Sequence, residues 1–369
     1  MQMEPRLKVL FVFNHPAPYK VRLFNALAQE VDLHVIFERT KTSNRNPLFY
    51  QAGPLNFTYS VLRGLPLGEE NHLSAGIVKF LKHNTFDLII MNGYSTLSEM
   101  LAIHYLKKQQ IPYIFYINGG IVKKENYIKY RIKRHFIKGA NAYFSPCVEA
   151  SEYLTHYGVN SDIIHHYPYS TIYESEIIPT LLTCEEKQKL RQVNAIPGEQ
   201  VFVSISQFIK RKNNFALLKA WQHIDPKYHL VLIGEGPQKK LYEQFIDEHK
   251  MTNVTIKPFL KREALLQYIR MFDHFILLSK EDIYGHVINE AFSQGLDVIA
   301  TPQMVAARHL VKPGENGYLV NYLDEVDVIK KIIAITHRPL NQKSIETAKN
   351  NTIEKMAESH IEILKRLVK

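Results

Sequence analysis

The stretch Ser279–Glu290, SKEDIYGHVINE, places two carboxylates, Asp282 and Glu290, eight positions apart around Gly285. It follows the apolar run HFILL (274–278) and runs into HVINEAFSQG, which predicts a strand, a loop and then a helix. Asp282 then sits in the loop at the carboxyl end of the strand, and Glu290 about one turn into the helix. Gly285 lets a ligand approach the backbone closely. The N–H groups of His286 and Val287 at the helix start form an anion site. An acid on each side of a phosphate site suits a sugar nucleotide, with hydroxyls on both sides and a diphosphate between. The alternative is an N-terminal cap and a solvated glutamate.

Two further loops carry compatible chemistry. Ser206–Asn213, SQFIKRKN, follows the run VFVSI (201–205) and groups Lys210, Arg211 and Lys212 at a strand-to-helix turn, where a diphosphate could be neutralised. A solvated charge run is the other reading. Gly234–Pro237, GEGP, follows HLVLIG (229–234) and predicts a tight turn with open backbone, although it is not a GxGxxG fingerprint.

These loops need strands to hold them. Apolar runs at 8–13, 33–37, 87–91, 112–117 and 142–146 alternate with helical patterns near 19–29, 97–109 and 123–138. The alternation restarts at Val201 and continues through 229–234, 254–259, 274–278 and 297–301. Apolar strands separated by helices predict parallel α/β architecture. Residues 41–75 read as loops with short strands, and 158–198 as a linker region with a charged helix near 185–192. The expected domains are 1–175 and 176–345, with 346–369 a single amphipathic helix packing back toward the first. Ligands of such sheets bind beyond the carboxyl ends of the strands, so both domains can offer loops to a cleft between them.

Composition narrows the function. The chain has 369 residues, 46% hydrophobic and 22% charged, with two cysteines, Cys147 and Cys184, and no CxxC. A disordered chain, a zinc ribbon and a disulfide scaffold are excluded, and a reducing compartment is favoured. The initial apolar run is too short for a signal-peptide core. The longest apolar stretch, Ile111–Ile117, falls well below the roughly 20 residues of a membrane-spanning helix. The expected location is cytoplasmic, peripheral at the inner face of the plasma membrane. The net charge is +10, and in residues 1–175 there are 19 Lys and Arg against 13 Asp and Glu. Lys123–Lys138 alone holds seven basic residues and one acid, Glu125. Ile128, Ile132 and Phe136 recur at helical spacing there. Lys129, Arg131, Lys133 and Arg134 make an anionic membrane surface the expected partner, against a half-buried helix with a solvated basic face. No nucleic-acid motif is present.

Together the loops resemble the retaining, family 4 type of glycosyltransferases with the GT-B fold, two Rossmann-like parallel-sheet domains facing across a cleft. That family's Glu, seven residues, Glu motif is matched by DIYG followed by VINEA. Asp282 takes the place of the first acid, Tyr284 and Gly285 of the Phe-Gly, and Glu290 of the second acid. The resemblance implies that Asp282 holds hydroxyls of the transferred sugar and Glu290 the ribose. Gln207 and Lys212 fall at the positions of the family's basic loop, so Lys212 is implied to bind the diphosphate, with Arg211 beside it. HPAPYKVRLFNAL (15–27) is similar to members that read P-x-P-Y-R-V near the first strand, where the acceptor binds. His15, Tyr19, Arg22, Asn118 and Gly119 are the implied acceptor contacts. Asn118 falls where many members carry a histidine near the reacting carbon.

The implied reaction moves a sugar from a nucleotide-diphosphate sugar to a saccharide or lipid-linked acceptor in surface glycan biosynthesis, such as lipopolysaccharide. Lys212, Asp282 and Asn118 are the expected catalytic positions. No cofactor is expected, and the absence of Asp-x-Asp argues against a metal. The pair His165-His166 reads as structural, and Asp324–Asp327 as a helix start. The alternatives are a nucleotide-sugar epimerase or hydrolase on the same plan, and a non-catalytic sugar-nucleotide binding protein. A nicotinamide oxidoreductase is disfavoured, because VFNHPAPY and SQFIKRKN both lack the glycine fingerprint.

Overall fold

A computed structural model of the chain describes residues 6–40, 53–67, 71–339 and 342–368. The expected loop segment 41–75 therefore lies partly outside the described residues. The chain divides into two compact units, Met1–Ser170 with Ile353–Lys369, and Thr171–Thr352.

The first unit runs through β1 (Lys8–Phe13), α1 (Pro18–Leu27), β2 (Asp32–Phe37), β3 (Thr58–Val61), β4 (Leu65–Leu67), β5 (Asn71–Leu73) and α2 (Gly76–His83). It continues with β6 (Leu88–Asn92), α3 (Leu97–Lys108), β7 (Ile114–Tyr116), α4 (Tyr127–Ile137), β8 (Ala142–Ser145), α5 (Val148–His156) and β9 (Ile164–His166). Seven strands form a parallel sheet in the order β3-β2-β1-β6-β7-β8-β9, and β4 and β5 form a small antiparallel pair. The interior strand β1 reads as an apolar run from Val9 because both of its faces are covered, and Leu10, Phe11 and Val12 are fully buried. Helix starts follow local chemistry. Pro18 opens α1 where its missing N–H costs nothing, and Thr96 with Glu99 closes a capping box at α3.

The second unit holds α6 (Cys184–Val193), β10 (Gln200–Ile205), α7 (Asn214–Trp221), β11 (Tyr228–Ile233), α8 (Lys239–Glu248), β12 (Val254–Lys257) and α9 (Arg262–Ile269). After these come β13 (His274–Leu277), α10 (Val287–Ser293), β14 (Asp297–Ala300), α11 (Val305–Leu310), β15 (Gly317–Leu319), α12 (Glu325–Thr336) and α13 (Lys343–Lys349). Its six parallel strands run β12-β11-β10-β13-β14-β15. The chain winds outward from β10 to β12 and then returns to the other side at β13. The loops after β10 and β13 therefore leave the sheet side by side, at a topological switch point. The corresponding point of the first unit lies between β1 and β6. Asp324 accepts from Asp327 N–H (3.1 Å) and caps α12, so the Asp324–Asp327 pattern is a helix start.

Two expectations about the chain path need correction. His165-His166 is not linker but strand β9, on the edge of the first sheet and paired with β8. The pattern from Ile345 onward is not one helix. It breaks at Asn350–Thr352 into α13, which packs on α10 in the second unit, and α14 (Ile353–Val368), which packs on α1 in the first. Asn350 and Asn351 favour local backbone bonding over helix continuation, and Asn351 Nδ2 donates to Thr347 O (2.9 Å) at the break. Ser344 Oγ donates to the buried Asp297 (2.8 Å) and ties α13 to β14.

Candidate functional site

The loop after β10 tightens into a single 3-10 turn at Lys210–Lys212, and Asn213 follows in the left-handed region (φ 59°). Buried Asn214 anchors this loop to the sheet. Its Oδ1 accepts from Ser204 Oγ (3.2 Å) and its Nδ2 donates to Ser206 Oγ (3.0 Å). The loop after β13 is tied directly to it. Lys280 N–H donates to Arg211 O (2.9 Å), and Arg211 Nη1 donates to Glu281 O (2.7 Å). Across this seam Lys212 Nζ and the Asp282 carboxylate form a short, mostly buried ion pair. Residues 70 positions apart in sequence thus meet at the sheet's switch point. A carboxylate can accept from several directions, so Asp282 can face Lys212 with one oxygen and a hydroxyl with the other.

Asp282 and Tyr284 are held from the far side by the next loop, since Asp282 N–H donates to Gln303 O (3.3 Å) and Ala306 N–H to Tyr284 O (2.7 Å). Gly285 adopts φ 95°, and His286 stacks tilted on Tyr284 with centroids 4.9 Å apart. Ile288 N–H donates to Gly285 O (3.0 Å) where α10 begins at Val287. α10 has only seven residues, so the cationic turn 210–212 is the larger source of positive potential. Gln207 is exposed, and its backbone carbonyl accepts from Ile209 N–H (2.9 Å).

Glu290 has partners that sequence reasoning did not single out. Its Oε1 lies 3.6 Å from Arg262 Nε and 3.4 Å from Thr171 Oγ1. The same guanidinium donates to Glu176 Oε1 (2.8 Å) and to Thr171 O (2.9 Å). Arg262 sits at the start of α9 inside an ordinary KRE run, and nothing local marks it as the residue that fixes Glu290.

The glycines of GEGP serve a different purpose from the open turn expected of them. Gly234 and Gly236 have φ of 151° and 153°. A Cβ on Gly234 would overlap Ser206 O, and one on Gly236 would lie 2.6 Å from Phe208 O. Phe208 N–H donates to Glu235 O (2.8 Å) and Gln238 N–H to Phe208 O (3.0 Å). The two glycines thus let this turn lie flat against the cationic loop and brace it. Gly234→Ala is expected to cost about 1–3 kcal/mol through backbone strain and to weaken donor binding by moving the 206–213 loop. Thermal melts and nucleotide-sugar titration of the variant check this, and native values for both would refute it.

In the first unit, the expected acceptor residues lie on α1 and on the loops beyond β1 and β7. His15 N–H donates to Asn14 Oδ1 (2.9 Å), Tyr19 lies edge-on to Tyr169 (6.4 Å), and Arg22 is half-buried on α1. Asn118 is held at both ends. Its Nδ2 donates to Asn92 Oδ1 (2.9 Å), and its Oδ1 accepts from Tyr169 OH (3.1 Å). Gly119 is half-buried beside it, and Gly120 lies directly under the Tyr153 ring, where a Cβ would come within 2.7 Å. One basic residue of the same motif does not face ligand. Lys20 is fully buried and donates to Tyr116 OH (2.7 Å), with the Tyr116 ring centroid 4.2 Å away. Burial holds its amine well below the ordinary lysine range.

Two buried carboxylates stand beyond the ends of β2 and β6. Glu38 follows β2 and accepts from Thr96 Oγ1 (2.6 Å), while Glu99 on α3 accepts from Ser95 Oγ (2.9 Å). Burial and, for Glu38, the neighbouring Glu99 charge push Glu38 up to about 8, and burial pushes Glu99 up to about 7. The folded protein therefore holds protons that the unfolded chain releases near 4.5. The contribution of this pair to stability is full below that value and is lost as pH rises toward 8. Glu38→Gln is expected to flatten this fall in a series of thermal melts from pH 5 to 8, whereas an unchanged slope would show that the pair is ionised throughout.

The basic segment forms α4, capped by Asn126, whose Oδ1 accepts from Lys129 N–H (2.8 Å). Lys129, Arg131 and Arg134 are exposed. Lys133 turns inward instead, pairing with Glu125 (2.7 Å) and donating to Tyr157 OH (3.2 Å). Phe136 also turns away from the outer face and stacks parallel to Tyr94 (6.1 Å).

Residues 186–353 match the family described as glycosyl transferases group 1. The alpha-monoglucosyldiacylglycerol synthase of Acholeplasma laidlawii is 25% identical over 162 residues, which is 42% of this chain and 40% of that protein. The N-acetyl-alpha-D-glucosaminyl L-malate synthase of Bacillus anthracis is 25% identical over 158 residues, 41% of each. The chain thus aligns with about two fifths of the length of these curated relatives. Among solved structures, HepE of Anabaena in complex with UDP superposes with a TM-score of 0.77 at 17% identity, covering 98% of this chain and 100% of that one. The fold is GT-B, two parallel-strand sheets flanked by helices.

Proposed function

We propose that this chain, whose residues 186–353 match the glycosyl transferases group 1 family, is a retaining glycosyltransferase that moves a sugar from a nucleoside-diphosphate sugar to a saccharide or lipid-linked acceptor. The observation that carries the reading is the pairing of Lys212 with Asp282 at the β10/β13 switch point. It sets a cation for a diphosphate beside a carboxylate for sugar hydroxyls. UDP in HepE, a neighbour of the same fold, supports a uridine diphosphate donor. The diacylglycerol-based product named for the Acholeplasma relative supports a lipid-linked acceptor.

In this reading Lys212 and Arg211 face the diphosphate and stabilise the negative charge that grows as the bond from the sugar's anomeric carbon to the phosphate oxygen breaks. Asp282 holds hydroxyls of the transferred sugar. Glu290, fixed by Arg262, accepts from the ribose. The acceptor hydroxyl, presented on the first unit by His15, Tyr19, Arg22, Asn118 and Gly119, attacks the same face that the diphosphate leaves. Its proton passes to the departing phosphate oxygen. No side-chain nucleophile of the kind used by retaining hydrolases, and no metal, is part of this scheme. The exposed basic face of α4 holds the protein at an anionic membrane surface. Among the described residues no helix is long and apolar enough to cross a membrane.

Mass spectrometry after incubation with a panel of nucleotide sugars and glycolipid extracts tests the reading. A sugar-extended acceptor is the expected product. Isomerised nucleotide sugar alone, or free sugar alone, would reject transfer.

A further inference from the structure

An open, solvent-facing cavity of about 310 Å³ lies where α3 ends beside α4, lined by half-buried Lys107 and by the exposed Arg131, Arg134, His135 and Lys138. No carboxylate lines it. The nearest acid of the segment, Glu125, is already taken by Lys133 (2.7 Å) and Tyr157 OH (2.5 Å). Among the described residues none of the five lining side chains forms a salt bridge. Lys107 Nζ donates to His135 O, which caps the end of α4 and accounts for one of the five. Arg131 lies over the Tyr127 ring (5.8 Å), and Arg134 Nη1 donates to Tyr130 OH (3.2 Å). Burial lowers the affinity of Lys107 and His135 for their protons, and Lys107 and His104 add to the effect at His135. Cations gathered without a counter-charge repel one another, and an anion in the cavity relieves that repulsion.

The surroundings narrow the anion's source. Tyr127, Arg131, Arg134 and Lys138 recur at i, i+4, i+7 and i+11 and so form one row along α4. Ile128, Ile132 and His135 form the row beside it. Tyr127, Ile128 and Ile132 are 70%, 71% and 50% exposed. A cationic row flanked by exposed apolar side chains matches a bilayer surface, where phosphates lie beside acyl chains. A free anion has no use for the apolar row.

We propose that this cavity is a discrete binding site for the headgroup phosphate of an anionic membrane lipid, with Lys107 of α3 and Arg131 and Arg134 of α4 as its donors. The inference rests on the reading of α4 as a membrane contact and replaces a diffuse basic face with a defined site. Arginine forks match phosphate oxygens two at a time, so losing one donor costs more than losing one unit of surface charge.

Vesicle co-sedimentation of the full chain tests it, using phosphatidylcholine with and without phosphatidylglycerol. The wild type is expected to bind only the anionic vesicles. Arg131→Gln and Lys107→Gln are expected to weaken binding about tenfold or more, while Lys108→Gln, the exposed neighbour outside the cavity, changes it less than about threefold. Circular dichroism of each variant shows whether α4 is intact, and Arg131→Gln, which caps no helix end, carries the result if Lys107→Gln unfolds it. Equal losses in Arg131→Gln and Lys108→Gln would overturn the discrete site but keep the membrane contact. No binding to anionic vesicles would overturn both. Thermal stabilisation by inorganic phosphate that is lost in Arg131→Gln, without vesicle binding, would assign the cavity to a soluble phosphate instead.

Discussion

Lys212→Ala lowers the turnover of sugar transfer by about 10²–10³-fold, the range observed when a single donor to a developing negative charge is removed. Lys212 ends the 3-10 turn after β10 and has its backbone fixed by Ile209 O (3.0 Å), so its side chain enters the site from a braced position. The leaving diphosphate gains charge in the transition state, and for that reason the loss falls on kcat more than on donor affinity. The variant also strips Asp282 of its counter-ion. An uncompensated carboxylate then repels the diphosphate, so part of the affinity lost in Lys212→Ala returns in the double variant Lys212→Ala/Asp282→Asn. Steady-state kinetics of the three proteins check this. Equal turnover in wild type and Lys212→Ala would remove Lys212 from the mechanism.

Asp273→Ala has the largest expected effect on stability, about 3–5 kcal/mol, the cost of breaking a buried ion pair from one side. Asp273 is buried at the start of β13. It accepts from Lys187 Nζ (3.1 Å), from Arg191 and from Val201 N–H (2.8 Å). Lys187 also donates to Phe272 O (2.7 Å) and Arg191 to Met271 O (2.8 Å), so α6 is pinned to β10 and β13 through this one carboxylate. Its removal leaves two buried cations unpaired beneath the strands that carry the 206–213 and 278–286 loops. Burial pushes the Asp273 carboxyl up, but Lys187, Arg191, His274 and the Val201 N–H outweigh it and hold it below the ordinary range. A depressed carboxyl stabilises the fold above the unfolded chain's pKa near 3.8, and the contribution is lost as pH falls through the folded value. Urea unfolding of Asp273→Ala at neutral pH measures the loss. A midpoint shift corresponding to under about 1 kcal/mol, the value typical of exposed pairs, would show that the network is not coupled.

Much of this could be read from residue order because parallel sheets write themselves locally. Val9–Phe13, Val201–Ile205 and His274–Leu277 are apolar runs since both faces of each strand are covered. The loop chemistry follows directly after each run, so Lys212 and Asp282 could be nominated without a structure. What stayed hidden depends on distant partners. Arg262 fixes Glu290 from 28 positions upstream, and Asp273 meets Lys187 across 86. Neither contact leaves a local pattern. The two glycines of GEGP looked like room for a ligand, and only the neighbouring strand end shows that Ser206 and Phe208 need that space. Helical periodicity carried across the break at Asn350–Thr352 because α13 and α14 both have apolar faces, although those faces pack in different units. Lys133 and Phe136 share the spacing of α4 with exposed residues, and Glu125 and Tyr94 turn them inward.

Calorimetric titration of a panel of nucleoside-diphosphate sugars, beginning with UDP-glucose, into wild type, Lys212→Ala and Glu290→Ala tests the donor site most directly. A donor site built on Lys212 and Glu290 requires that at least one of the panel binds the wild type and that the same compound binds each variant at least about tenfold more weakly, a loss of about 1.4 kcal/mol, with circular dichroism showing both variants folded. Binding of that compound with equal affinity to all three proteins, or binding of none by the wild type, would contradict it.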